Sequence, residues 1–239
     1  MRTTLVVFSI AVGVFSIGVI TGAYEIISND MGASYAANNP SNIELRTSTF
    51  NEDVLSSIRN TNGVMDAEGR RVVNFRVRPE TDNQWVTINL VAFDDFAANK
   101  VNLLEPVQGK SEAGKDEILL EKNALKDLNM SVGDKLVIEL SDGTLKTLEV
   151  VGIVQDASTS AGDFLAPPLA FTVMETMQTL RQPETFNRAY VTVSELPNDS
   201  AHIRTTGGEV KDKLERNGTL VARSRFSERN KHPLTDTLN

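Results

Sequence analysis

The stretch Gly109-Lys110-Ser111-Glu112-Ala113-Gly114-Lys115-Asp116 nearly fits G-x-x-x-x-G-K-[ST], the loop that cradles nucleotide phosphates. It departs from that pattern where chemistry needs it. Asp116 stands where a hydroxyl would bind magnesium, and it sets a negative charge beside the phosphates. No buried strand is expected before the loop, and a strand rather than a helix is expected after it. Nucleotide binding is therefore not expected here. The two histidines, His202 and His232, have no partner at H-x-x-x-H or H-E-x-x-H spacing. Asp94-Asp95 reads as a solvated loop or helix cap rather than an acid pair. No Gly-x-Ser-x-Gly elbow occurs. Asn198-Asp199-Ser200 and Asn217-Gly218-Thr219 match the glycosylation sequon, a pattern too common to decide anything. No catalytic residue, cofactor site or metal site is expected, so the chain reads as non-enzymatic.

Composition narrows the classes further. The 239 residues contain no cysteine, which excludes disulfides, thiolate–zinc sites and thiol nucleophiles. The formal net charge of -8 argues against nucleic acid and against docking on anionic lipid. A hydrophobic content of 40% is enough for a packed core.

The elements that position everything else begin at Thr3. From there to Tyr24 the chain carries no charged residue. As a helix this run spans about 33 Å, enough for a bilayer core of about 30 Å. Arg2 precedes it, and Glu25 and Asp30 follow. The positive-inside rule puts the N-terminus in the cytoplasm and residues 25–239 outside. A cleaved signal peptide is the alternative, with Thr21-Gly22-Ala23 as a weak cleavage site; its apolar run would be too long. Gly18 and Gly22 lie at G-x-x-x-G spacing and would permit close helix packing. Ile20, Tyr24, Ile27, Met31 and Tyr35 recur at helical spacing, which predicts a stalk over 25–39 that stops at Asn38-Asn39-Pro40. A short linker that happens to alternate is the other reading.

Beyond the stalk, strand and helix signals alternate. Thr49-Phe50-Asn51-Glu52 has the form of a capping box, with Val54, Leu55 and Ile58 on one helical face and Gly63 as a C-cap. Val86, Ile88, Leu90 and Ala92 alternate with polar neighbours as a half-buried strand. Residues 105–116 read as a polar connection and 121–129 as a helix. Asp142-Gly143 between alternating strands signals a hairpin, and the apolar run Val150–Val154 a strand covered on both faces. Residues 156–168 read as a loop, 200–217 as a helix and 220–223 as the last strand. The pattern is α+β.

Those motifs, in their order, resemble the FtsX-like ABC transporter permeases. The membrane run RTTLVVFSIAVGVFSIGVI looks like their start. GVMDAEGRRVVNFRV (Gly63–Val77) and EILLEKNALKDLNMSVGDKLVIELSDGTLKTLEVVGIVQD (Glu117–Asp156) are similar to their MacB-like periplasmic core domain. The resemblance implies an α+β extracytoplasmic domain of two subdomains with mixed and antiparallel sheets. It covers 36–224, with an outer α+β part, 36–92 and 170–224, around a β-rich insert, 93–169. It implies a cytoplasmic ABC ATPase as partner, together with the remaining permease helices or a second permease copy, and membrane lipid around the anchor. It also implies export or extraction of lipid, lipoprotein, peptide or drug substrates. Such permeases carry three further membrane helices after the core domain, whereas 225–239 reads as a linker toward a second membrane helix. A fragment or split gene product is therefore expected. A single-pass anchored sensor or binding domain, and an anchored hydrolase, are the other classes open at this point.

Overall fold

The computed structural model describes residues 12–22, 32–33, 35–157 and 167–231. Helix α1 covers 12–22, where every residue but Gly22 is exposed. No helix among the described residues is long and apolar enough to cross a membrane. Residues 3–11, 23 and 24 of the expected membrane run lie outside the described residues.

The domain starts with β1 (Ile43–Phe50), α2 (Glu52–Arg59) and the long β2 (Val64–Pro79). It ends with β9 (Phe186–Val193), α5 (Ser200–Arg216) and β10 (Val221–Phe226). These strands lie in the order β10-β1-β9-β2, all antiparallel. That is the split β-α-β arrangement of a ferredoxin-like sheet. Both helices cover one face. Leu55 and Ile58 of α2, and Ile203, Val210 and Leu214 of α5, join Ile43, Leu45, Ala189 and Val191 in one buried cluster. Gly207 lets α5 approach β10, because a Cβ there would run into the Phe226 ring.

Between these halves the chain builds β3 (Val86–Phe93), β4 (Leu104–Gly109), β5 (Glu117–Glu121), α3 (Leu125–Leu128), β6 (Lys135–Glu139), β7 (Leu145–Asp156), β8 (Leu169–Val173) and α4 (Met174–Thr179). The second half of β2 pairs with β3, then β8, β5, β7 and β6 follow, and β6 pairs back onto β2. This ring is a closed six-stranded barrel. Ile88, Leu120, Ile138 and Val150 are fully buried with its core. A second apolar cluster, including Val91, Phe93, Leu119, Val151 and Phe171, forms from the alternate residues of the same strands. Val150 and Val151 thus enter different clusters, as a strand covered on both faces requires. Asp142-Gly143 makes the β6–β7 turn, with Gly143 at φ +80°.

Several boundaries differ from the sequence reading. Thr49 lies in β1, and Asn51 caps α2 instead, its side chain accepting from Val54 N at 3.2 Å. The strand runs on because Phe50 packs on Phe186, ring centroids 5.6 Å apart. The expected connection over 105–116 contains β4, which pairs only with β7, so Pro106 costs no ladder bond on its outer side. The expected helix over 121–129 is a 3-10 turn (Lys122–Ala124) and one α-turn, stopped by Asn129 at φ 45°. The sheet changes within β2, at Arg70/Arg71, and both β3 and β8 are barrel strands, whereas the insert was expected over 93–169. β10 runs to Phe226, so residues 225 and 226 belong to the sheet rather than to a linker.

Candidate functional site

The residues picked out from the sequence do not form one site. Gly18 and Gly22 would accept a Cβ with nothing within 4 Å, and Ile20 is exposed. Tyr24, Ile27 and Met31 lie outside the described residues. Tyr35, the last of the stripe, is buried in the domain, and burial, with Asp156 nearby, pushes its hydroxyl up to about 12. The phosphate-loop lookalike is closed by its own carboxylate. Glu117 accepts from Lys110 Nζ at 2.7 Å and from Gly114 N at 2.8 Å, contacts that hold its carboxyl below the usual range. His202 sits in the first turn of α5, its N–H donating to the Asp199 side chain at 2.8 Å; His232 lies outside the described residues. Asp95 accepts from Ala97 N, as a loop cap does. Among the described residues no three His, Asp or Glu side chains group to hold a metal.

What the fold does assemble is a junction where the chain enters the domain and where it leaves. Asn42, just before β1, is almost fully buried. Its Nδ2 donates to Pro197 O at 2.9 Å and to Ser227 O at 3.1 Å, and its Oδ1 accepts from Val193 N at 3.1 Å. Ser227 N donates back to Asn42 O at 2.9 Å. One side chain therefore ties the incoming segment to the outgoing one and to the end of β9. Just outside, a Cβ on Gly32 would come within 2.7 Å of Asn230 O, so the two legs run side by side. Glu228 accepts from Ser200 Oγ at 2.6 Å and Arg229 N donates to Pro197 O at 3.0 Å, which fixes the outgoing leg to the start of α5.

The same incoming segment is bound to the barrel side. Asn102 N donates to Asn39 O at 3.0 Å and Leu103 N to Asn38 O at 2.9 Å. Asn38 Nδ2 reaches Glu105 Oε1 at 2.8 Å, and Ser41 N reaches Asn102 Oδ1 at 2.7 Å. The loop after β3 thus lies along residues 38–41 much as a strand would. Its inner side is held by Arg70, at the bend of β2. The Arg70 guanidinium donates to Val101 O and to Asn102 O, and lies 4.1 Å from the Phe93 ring centroid and 4.8 Å from that of Tyr190. Burial lowers the Arg70 pKa, and it pushes the Tyr190 hydroxyl up to about 12, with Glu44 acting in the same direction. This arrangement can transmit displacement: a shift of residues 35–42 reaches the sheet through Asn42 and the barrel through the 99–105 loop.

The MacB-like periplasmic core domain model matches residues 3–214. The chain belongs to that family. It is the periplasmic core type of domain found in FtsX/MacB-like ABC transporter permeases. The extracellular domain of the noncanonic ABC-type transporter YknZ from Gram-positive bacteria has a similar structure, with TM-score 0.52 and 14% identity over 77% of this chain and 100% of that one. The periplasmic region of MacB from Actinobacillus actinomycetemcomitans aligns with TM-score 0.51 and 11% identity, covering 78% of this chain and 91% of that one. At these identities the likeness speaks for the fold. No curated protein matches the chain.

Sequence reading missed the junction residues. Asn38 and Asn39 read as a helix stop and Asn42 as the start of a short strand over 42–46, when all three are also side-chain clamps. Arg70-Arg71, next to the apolar pair Val72-Val73 in β2, was the available signal, since a cation buried in a strand needs a built partner set.

Proposed function

We propose that this MacB-like domain works as part of a permease subunit that couples a cytoplasmic ABC ATPase to the extracytoplasmic side. In this reading the run from Thr3 crosses the membrane with its N-terminus inside. Residues 25–39 form a stiff stalk, and the domain moves with it to export or extract a lipid, lipoprotein, peptide or drug. The ATP site belongs to the partner. The observation that carries the reading is the Asn42 junction, which grips the incoming and outgoing legs together. A domain held only by a slack tether would gain nothing from such a clamp.

The test is a Gly-Gly-Ser insertion after Ser28 in the assembled permease. It turns any helical stalk by about 300° and adds a helix penalty of about 1 kcal/mol per glycine. ATP hydrolysis should persist and the domain should fold, while export collapses. Unchanged export would reduce the stalk to a tether and overturn the coupling reading.

A further inference from the structure

The ferredoxin-like sheet has one face covered by α2 and α5. Its other face carries Glu44, Arg46, Glu68, Arg70, Arg188, Tyr190, Arg223 and Arg225. Two neighbouring rows on this face differ sharply. In one, Glu44 lies opposite Arg225 on one side and Tyr190 on the other, and Tyr190 lies opposite Glu68. In the next, Arg223, Arg46, Arg188 and Arg70 are successive cross-strand partners. Like charges placed directly opposite one another across strands repel. Only Arg70 is sealed, by the loop carbonyls and two rings. Arg46 and Arg223 are exposed and Arg188 is half-buried. Arg46 has Glu44 at 3.4 Å, but that carboxylate also faces Arg225. Arg188 donates to the carbonyl of its own neighbour, Asn187, at 2.9 Å. Arg223 has no ion pair among the described residues. At a strand spacing of about 4.8 Å Arg223, Arg46 and Arg188 span about 10 Å in a straight line.

We propose that the exposed edge of this sheet face, at Arg46 and Arg223 with the half-buried Arg188 beside them, docks an acidic protein segment whose carboxylates lie along these three arginines. Guanidinium forks match carboxylates bidentately, and a row of three reads a row of acids. The net charge of -8 disfavours an extended, uniformly anionic lipid surface. A protein segment can place acids on one row and neutral or basic groups on the other. This surface is independent of the coupling reading, which concerns the junction and the ATPase.

The full chain in detergent is titrated with a short poly-glutamate peptide, with inorganic phosphate and with phosphatidylglycerol vesicles. The peptide is expected to bind at low salt and to weaken as salt rises. The double variant Arg46→Gln/Arg223→Gln should lose about tenfold in affinity, with its melting temperature unchanged or raised because like charges have been removed. The reversal Arg46→Glu/Arg223→Glu should bind poly-lysine in place of poly-glutamate. Equal peptide affinity in the Gln variant would overturn the proposal. So would a lowered melting temperature in that variant, which would make the row structural. Arginine-dependent binding of phosphate or vesicles at least as tight as that of the peptide would also overturn it.

Discussion

The sheet and the barrel solve burial in opposite ways. The barrel closes on itself, so its strands have apolar residues on both sides: Ile88 and Leu90 join one cluster while Val91 and Phe93 join the other. The ferredoxin-like sheet turns its aliphatic residues toward α2 and α5, and its other face carries charged residues and Tyr190. The sheet is also where the chain comes in and goes out, through Asn42. The difference shows a division of labour. The barrel interior continues into the helix-covered side of the sheet as one buried cluster, and the sheet also holds the connections and keeps a face for other groups. Arg70 stands between them, at the point where β2 leaves one sheet for the other.

The largest effect is expected from Arg70→Ala. It removes the donors of Val101 O and Asn102 O and opens a cavity beside Phe93. Unsatisfied carbonyls and lost packing should together cost roughly 4 kcal/mol, read by urea unfolding. If the two bodies are independent, the loss is confined to the 99–105 loop and global stability barely moves. Asn42→Ala comes next. It leaves Val193 N and Ser227 O without their Asn42 partner, while Pro197 O keeps the bond from Arg229 N, and should cost about 2 kcal/mol. Limited proteolysis should then cut after Phe226 well before the barrel is touched; simultaneous cutting in both bodies would erase the contrast drawn between them.

The smallest effect concerns pH and lies in the barrel. Burial raises the pKa of Glu121, despite the bond from Asn123 N at 2.6 Å. The folded chain therefore holds this proton more tightly than the unfolded chain does. Its contribution to stability is full below the ordinary carboxylate value and is lost as pH rises through the raised one. Glu121→Gln should flatten that part of the stability–pH curve without displacing the acid limb set by lowered carboxyls such as Glu117. An unchanged curve would mean that the carboxyl is ionised in the fold without penalty.

Much of this architecture was legible in the chain. Alternation at Val86–Ala92, the Asp142-Gly143 turn and the apolar run at Val150 all point to the strands that form. Spacing alone did not reveal β4, because an edge strand with Pro106 and polar side chains carries little periodicity. Closure of the barrel was not legible either, since it depends on β6 meeting β2 far back in the sequence. The junction was hidden for the same reason. Asn42 contacts Ser227, and Asn38 contacts Glu105, across long stretches of chain. The arginine row exists only in register, with Arg46, Arg188 and Arg223 drawn from three separate strands.

The central claim is that the incoming segment is welded to both bodies, and amide hydrogen exchange on the full chain tests it most directly. Asn102 and Leu103 donate to Asn39 and Asn38, and Ser227 donates to Asn42. Their exchange should be slowed to near that of amides in the centre of β1 and β9, and Asn42→Ala should release Ser227 first. Exchange of Asn102, Leu103 and Ser227 at the rate of an unstructured peptide, while β1 and β9 stay protected, would contradict the weld and leave the domain loosely strung on its stalk.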